Sequence, residues 1–120
     1  MRKFILSSIL ITQFILGCSY TSESDLIDTT PLPTVVTYNT HIKSIIDNNC
    51  IQCHTNPPIN AANTSLLTYT DVISGVENNN LISKISGNGP GGLMPLGGPS
   101  LPQNLIDLII QWQDEGFMEE

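Results

Sequence analysis

The sequence predicts a small helical domain behind an export segment. Three observations predict it: apolar residues recur at helical spacing in several short stretches, no alternating or β-branched run marks a strand around the one Cys-His motif, and a loop rich in Gly and Pro precedes the last helix. The 120 residues suffice for one small domain and a tail and exclude a multidomain enzyme. Hydrophobic residues are 40% and charged residues 12%, which fits neither a disordered chain nor a highly charged surface protein. Acids outnumber bases by 11 to 4, for a net charge of −7, which argues against nucleic acid as a partner and favours basic protein surfaces. Three Cys, an odd number, leave at least one thiol outside any disulfide framework.

Taken in order, the chain begins with Arg2 and Lys3 and a 13-residue apolar run from Phe4 to Leu16. The run is shorter than the roughly 20 residues a spanning helix needs and reads as a signal segment. It ends at Ile15-Leu16-Gly17-Cys18, which resembles the lipobox of bacterial lipoproteins, although that motif usually has Leu where this chain has Ile15. Residues 1–17 are then a lipoprotein signal peptide and Cys18 is the lipidation site, with an uncleaved signal anchor and a free Cys18 as the alternative. Cleavage leaves two bases, Lys43 and Lys84, against 11 acids, a charge of −9. Residues 18–34, the lipidated Cys and a stretch of Ser, Thr, Asp, Glu and Pro, form a polar tether. Residues 35–120 are the folded unit, small enough to need a staple of some kind.

Within that unit, Thr40 can cap a first helix whose Ile42, Ile45 and Ile46 face a core, and Asn48 and Asn49 end it. His41, in its first turn, reads as exposed. A second helix is expected at about Thr70 to Glu77, capped by Asp71 or Thr70, with Val72, Ile73 and Val76 inward, and a third from Leu81 to Ile85. For the last helix Ser100 and Gln103 form a capping-box pattern, Pro102 sits in the first turn, Leu105, Leu108, Ile109 and Trp112 make the inward stripe, and Gly116 is the stop. Trp112 reads as core, and one motif remains.

That motif is Cys50-Ile51-Gln52-Cys53-His54, the C-x-x-C-H of c-type haem attachment, and a haem propionate is then the other destination for the indole N–H of Trp112. Two thiols three residues apart lie about one helical turn from each other, which matches the two vinyl groups to which they add as thioethers, and the adjacent imidazole is thereby held under the iron. His54 is the expected proximal ligand, its other ring N–H donating to a loop carbonyl from Pro57, Pro58 or a later residue. A zinc site would need His41 as well, nine residues before Cys50 and outside finger spacing. A thioredoxin-like dithiol would need a βαβ setting that the pattern does not offer. Export agrees with haem, because covalent attachment in bacteria occurs outside the cytoplasmic membrane.

Between Gly87 and Pro99 lie six Gly and three Pro, so neither helix nor strand survives there. Met94 sits in the middle of this loop, Met118 in the C-terminal tail, and Met1 in the signal segment. Core filler is the common fate of Met. Here a thioether held on a rigid loop is the expected sixth ligand of iron, since Met with a proximal His is the usual pair of electron-transfer haems.

In this order of parts, from Tyr38 to Gly116, the chain resembles the class I monohaem c-type cytochromes. Tyr38 to His54 and Met94 to Trp112 are most similar to small bacterial lipoprotein cytochromes. The resemblance implies an all-α, class I cytochrome c-like fold of three to four helices around one covalently bound haem c, with Cys50 and Cys53 as attachment points and His54 and Met94 as the iron ligands. It implies an electron carrier rather than an enzyme, a monomer in the cell envelope, lipid-anchored and facing the periplasm or exterior, that exchanges single electrons with redox proteins through their basic docking patches. The alternatives are a haem enzyme or a gas or peroxide sensor with an open sixth position, for which His41 is the one visible acid-base candidate, and an accessory haem domain docked to a dehydrogenase or oxidase.

Overall fold

A computed structural model describes residues 31–120. The expected signal peptide, the expected lipidation site Cys18 and most of the expected tether lie outside the described residues. Among those described the regular structure is helical throughout, with no strand, and no helix is long and apolar enough to cross a membrane. The all-α expectation therefore holds at the level of class.

The first element is a single π-helical turn, Tyr38–Ile42, that runs straight into α1, Lys43–Asn49. Its wide pitch is set by Thr37, whose carbonyl receives the N–H groups of both His41 and Ile42 at 3.0 and 3.3 Å. The helix thus starts before Thr40, which is inside it and not its cap. The Thr37 N–H is satisfied instead by Nδ1 of His41 at 3.2 Å, so His41 is half-buried and part of the helix start, contrary to the expectation of an exposed residue. Ile42, Ile45 and Ile46 are buried as their spacing requires. Asn48 and Asn49 donate to the carbonyls of Ser44 and Ile45, four residues back, and the helix ends at Asn49.

Helix α2 spans Tyr69–Asn78 and begins one residue earlier than expected. Its cap is Thr68, and Asp71 is not the cap but its reciprocal partner three residues on: Thr68 Oγ1 accepts from Asp71 N and Asp71 Oδ2 accepts from Thr68 N, each at 3.1 Å. Val72 and Val76 are buried, while Ile73 is only partly so. Helix α3, Leu81–Ile85, has the expected bounds and buries both its end residues.

Helix α4 runs over Gln103–Asp114 with Pro102 as the capping residue and no side-chain cap. Ser100 does not cap it. Leu101, forced toward extended backbone by the following proline, is buried and donates its N–H to Ile85 O at 3.1 Å, which fixes the chain one residue too early for Ser100 to reach the first turn. The inward residues are Ile106, Ile109 and Trp112, with Leu105 and Leu108 half-buried at the margins, so the stripe is centred one residue further round than expected. The stop is a Schellman closure: Gly116 at φ +81° donates to Gln113 O at 3.0 Å, and Phe117 donates to Trp112 O at 2.9 Å.

The core joins the two ends of the domain. The π turn packs on α4, and α3 packs on both α2 and α4. Trp112 is fully buried among the rings of Tyr38, Tyr69 and Phe117, with centroids 4.8 to 6.1 Å away. Its Nε1 donates to Met118 O at 2.8 Å, and the same oxygen accepts from Tyr38 N at 2.8 Å. The indole is thus committed to the C-terminal segment, and the propionate destination is ruled out by this hydrogen bond. Attachment begins slightly before residue 35, since Pro33 O accepts from Gln111 Nε2 at 2.9 Å and Val36 N donates to Glu115 Oε2 at 2.7 Å.

Candidate functional site

The C-x-x-C-H segment forms one turn where α1 unwinds. Cys50 leaves helical geometry, and its carbonyl receives the N–H groups of Cys53 and His54 at 3.2 and 3.1 Å. This tight turn brings the two cysteines and the histidine onto one local unit, as the spacing in the sequence requires.

The following loop folds back over the motif and locks it. Ile59 N donates to Cys53 O at 3.0 Å, and Leu66 N donates to His54 O at 2.9 Å. The His54 ring is held by the same segment, with Nδ1 paired to the carbonyl oxygen of Thr64 at 2.7 Å. A carbonyl only accepts, so this contact places the ring proton on Nδ1 and leaves Nε2 with its lone pair free to bind a metal. The partner is one of the later loop residues allowed by the sequence, not Pro57 or Pro58.

Behind the motif lies a cavity of about 460 Å³, within the ordinary range for small-molecule sites. Cys50, Cys53, His54 and Met94 all line it, although Met94 is forty positions from His54 in the chain. Its wall includes Leu66, Leu81, Ile85 and Leu101, all buried side chains of the core. Gly75 of α2 also borders it. A Cβ there would stand 2.9 Å from Leu66 Cδ2 and 3.1 Å from Leu81 Cδ1, so a glycine inside the helix, costly in propensity, lets the wall close up.

Met94 is placed by α3. Its N–H donates to Lys84 O at 3.0 Å, and earlier in the same loop Gly89 lies flat against the backbone of Ser83 and Lys84. The half-buried Met94 side chain packs at the edge of the core. Met118 is spent otherwise, since its main chain pins the tail to Tyr38 and Trp112.

Burial separates Cys50 from the reactive thiol of a redox pair. Burial pushes the Cys50 thiol up to about 11, so it stays protonated at neutral pH. A thioredoxin-like centre needs the opposite shift, and the described chain also has no strand to build its βαβ setting. Cys53 accepts a long 3.5 Å contact from Asn60 Nδ2. A zinc site finds no support either: among the described residues no three His, Cys, Asp or Glu side chains gather around one point, and His41 is not among the residues of the cavity.

The donor set suits a flat iron macrocycle. One imidazole nitrogen and one thioether line the same space, both thiols border it, and the walls are largely apolar. Lys84 also lines it, which the sequence did not mark, because its only visible property there was its charge. Comparison with protein-family models, with curated proteins and with solved structures finds no match to this chain.

Proposed function

We propose that the protein is an electron carrier with one covalently attached haem c, held through Cys50 and Cys53 and ligated by His54 and Met94. The observation that carries this reading is that four residues of the right chemistry, from two distant parts of the chain, line a single cavity. When bound, haem c supplies a one-electron ferric/ferrous couple.

The residues have separable tasks. Cys50 and Cys53 offer thiols, one of them held protonated by burial, for addition across vinyl groups. His54 presents Nε2 at a ring angle fixed by Thr64 O, and the hydrogen bond at Nδ1 raises the basicity of the ring as a ligand. Met94 offers sulfur from a loop whose main chain is tied to Lys84. With His54 and Met94 both holding the iron, no place would remain there for substrate, and this would distinguish a carrier from an open-site enzyme or sensor. Leu66, Leu81, Ile85 and Leu101 exclude water from the buried side. The resemblance to small bacterial lipoprotein cytochromes supports the same reading and adds a lipid anchor at Cys18 and a place in the cell envelope.

The test is retention of colour. After acid-acetone extraction of the protein expressed with a haem-attachment system, haem stays with the polypeptide; in the Cys50→Ser, Cys53→Ser double variant it leaves. Equal covalent haem content in the two proteins refutes the attachment. Met94→Ala then lowers the reduction potential and opens the iron to carbon monoxide, because thioether ligation favours the ferrous state. A Met94 variant that stays closed to carbon monoxide refutes the sixth-ligand assignment.

A further inference from the structure

Lys84 is the one Lys, Arg, Asp or Glu that lines the cavity. Only two bases occur among the described residues, Lys43 and Lys84, in a strongly acidic chain. Lys43 is engaged by Asp47 on the exposed face of α1, whereas Lys84 has no ion pair and no side-chain hydrogen bond among the described residues. The side chain nonetheless has a defined course. It runs beneath the Gly/Pro loop, with Cε 3.7 Å and Nζ 3.9 Å from where a Cβ on Gly91 would stand. Lys84 is a half-buried residue whose ammonium, without an ion-pair partner among the described residues, borders a largely apolar cavity and is open to a negative group.

We infer that Lys84 is the anion-binding residue of this cavity and that its ammonium pairs with a carboxylate of the occupant. The inference rests on the haem reading, in which that carboxylate is a haem propionate. The cavity's other polar side chains are amides, a hydroxyl and the groups already assigned, so no other full positive charge competes for the role. The same residue receives the Met94 N–H through its main-chain carbonyl. Lys84 thus joins the thioether loop and the ligand's anionic edge, the first through its backbone and the second through its side chain. Side-chain substitution leaves the backbone bond in place, so its effects report the ammonium.

Zero-length coupling tests the pairing on the haem-loaded protein. Carbodiimide activates the carboxylate, Nζ attacks it, and an amide forms with net loss of one water. Coupled Lys84 is no longer a trypsin site, so the haem-bearing fragment extends from Ser44 to Glu120, one water lighter than the uncoupled sequence with its haem. Lys84→Arg keeps the charge and forms no such amide. Lys84→Gln lowers the reduction potential, because removing a nearby cation favours ferric iron, while Lys84→Arg stays at the wild-type value. Absence of the coupled fragment, its formation through a protein carboxylate, or a Lys84→Gln potential equal to wild type overturns the assignment and leaves the haem reading standing. Wild-type protein that carries no covalent haem overturns both.

Discussion

Gly89 is where a single methyl group tests how the loop delivers Met94. A Cβ at this position would stand 2.8 Å from Lys84 N, 2.9 Å from Ser83 C and 3.0 Å from Ser83 Cβ. Ordinary contact begins near 3.4 Å, so the Gly89→Ala loop must lift by about 0.6 Å, and two of the three atoms it meets are backbone inside α3 that cannot rotate away. Overpacking of this kind costs about 1–3 kcal/mol. The strain falls on Lys84, whose carbonyl holds Met94 N. Gly89→Ala is therefore expected to lower the urea midpoint and, on the proposed haem reading, to weaken ligation by Met94, seen as a lower potential and as carbon monoxide binding to the ferrous form. Gly98→Ala is the matched control, because in the same loop its Cβ makes only a 3.5 Å contact with Pro95 O. That variant is expected within about 0.5 kcal/mol of wild type. Equal urea midpoints for the two variants refute the close-approach argument; a lower midpoint for Gly89→Ala with an unchanged potential refutes the link to Met94.

Three further outcomes follow from other parts of the domain. Trp112→Phe removes the indole donor to Met118 O and part of a fully buried ring, for about 2 kcal/mol in urea unfolding, with Tyr38 N still satisfying the oxygen. Glu115 accepts from Gln111 Nε2 and Val36 N, and these bonds hold its carboxyl below the usual range, so its contribution is present above the unfolded carboxylate pKa and is lost as pH falls through the lower folded value. Urea midpoints measured from pH 6 to pH 3 should fall less steeply in Glu115→Gln, and parallel curves would refute the contribution. The acidic surface should make electron transfer to basic partners slow as salt rises, and stopped-flow rates indifferent to ionic strength would show the charge to be merely solvating.

The sequence marked the residues of the proposed site more fully than their supports. Residue type and spacing suffice to single out Cys50, Cys53 and His54, and composition suffices to single out Met94 among three methionines. The support for His54, however, is the carbonyl of Thr64, and every residue has a carbonyl. No side-chain pattern marks which one returns to the ring; that choice is made by the Cys53 and His54 carbonyls, which capture Ile59 and Leu66 and set the path of the loop.

Helix starts failed for a related reason. Ser100, Pro102 and Gln103 satisfy a capping pattern read along the chain, but Leu101 is buried and pinned to Ile85 O, and a tertiary contact of that size outweighs a cap worth about 1 kcal/mol. At the other start the reverse occurred: Thr68 and Asp71 complete a reciprocal box, and the cap falls where local hydrogen bonding is strongest. At Thr37 the missing side-chain acceptor is supplied from within the helix by His41, a residue whose type suggested chemistry and whose position gave it structure.

Lys84 shows where the two kinds of information meet. Along the chain it is one of two bases in an acidic domain, and the natural reading of such a residue is a solvated charge. In the fold its carbonyl fixes Met94 and its side chain passes under Gly91 to the cavity. Neither contact depends on a motif. Both depend on α3 being short: Leu81 and Ile85 bury its two ends, which leaves Lys84 in the last turn facing the loop that returns. A longer helix would carry the loop, and Met94 with it, away from the cavity. The five-residue length of α3 therefore decides where Met94 meets the cavity, and it is set by Asn80 at φ +56° before it and by the turn at Ser86 and Gly87 after it.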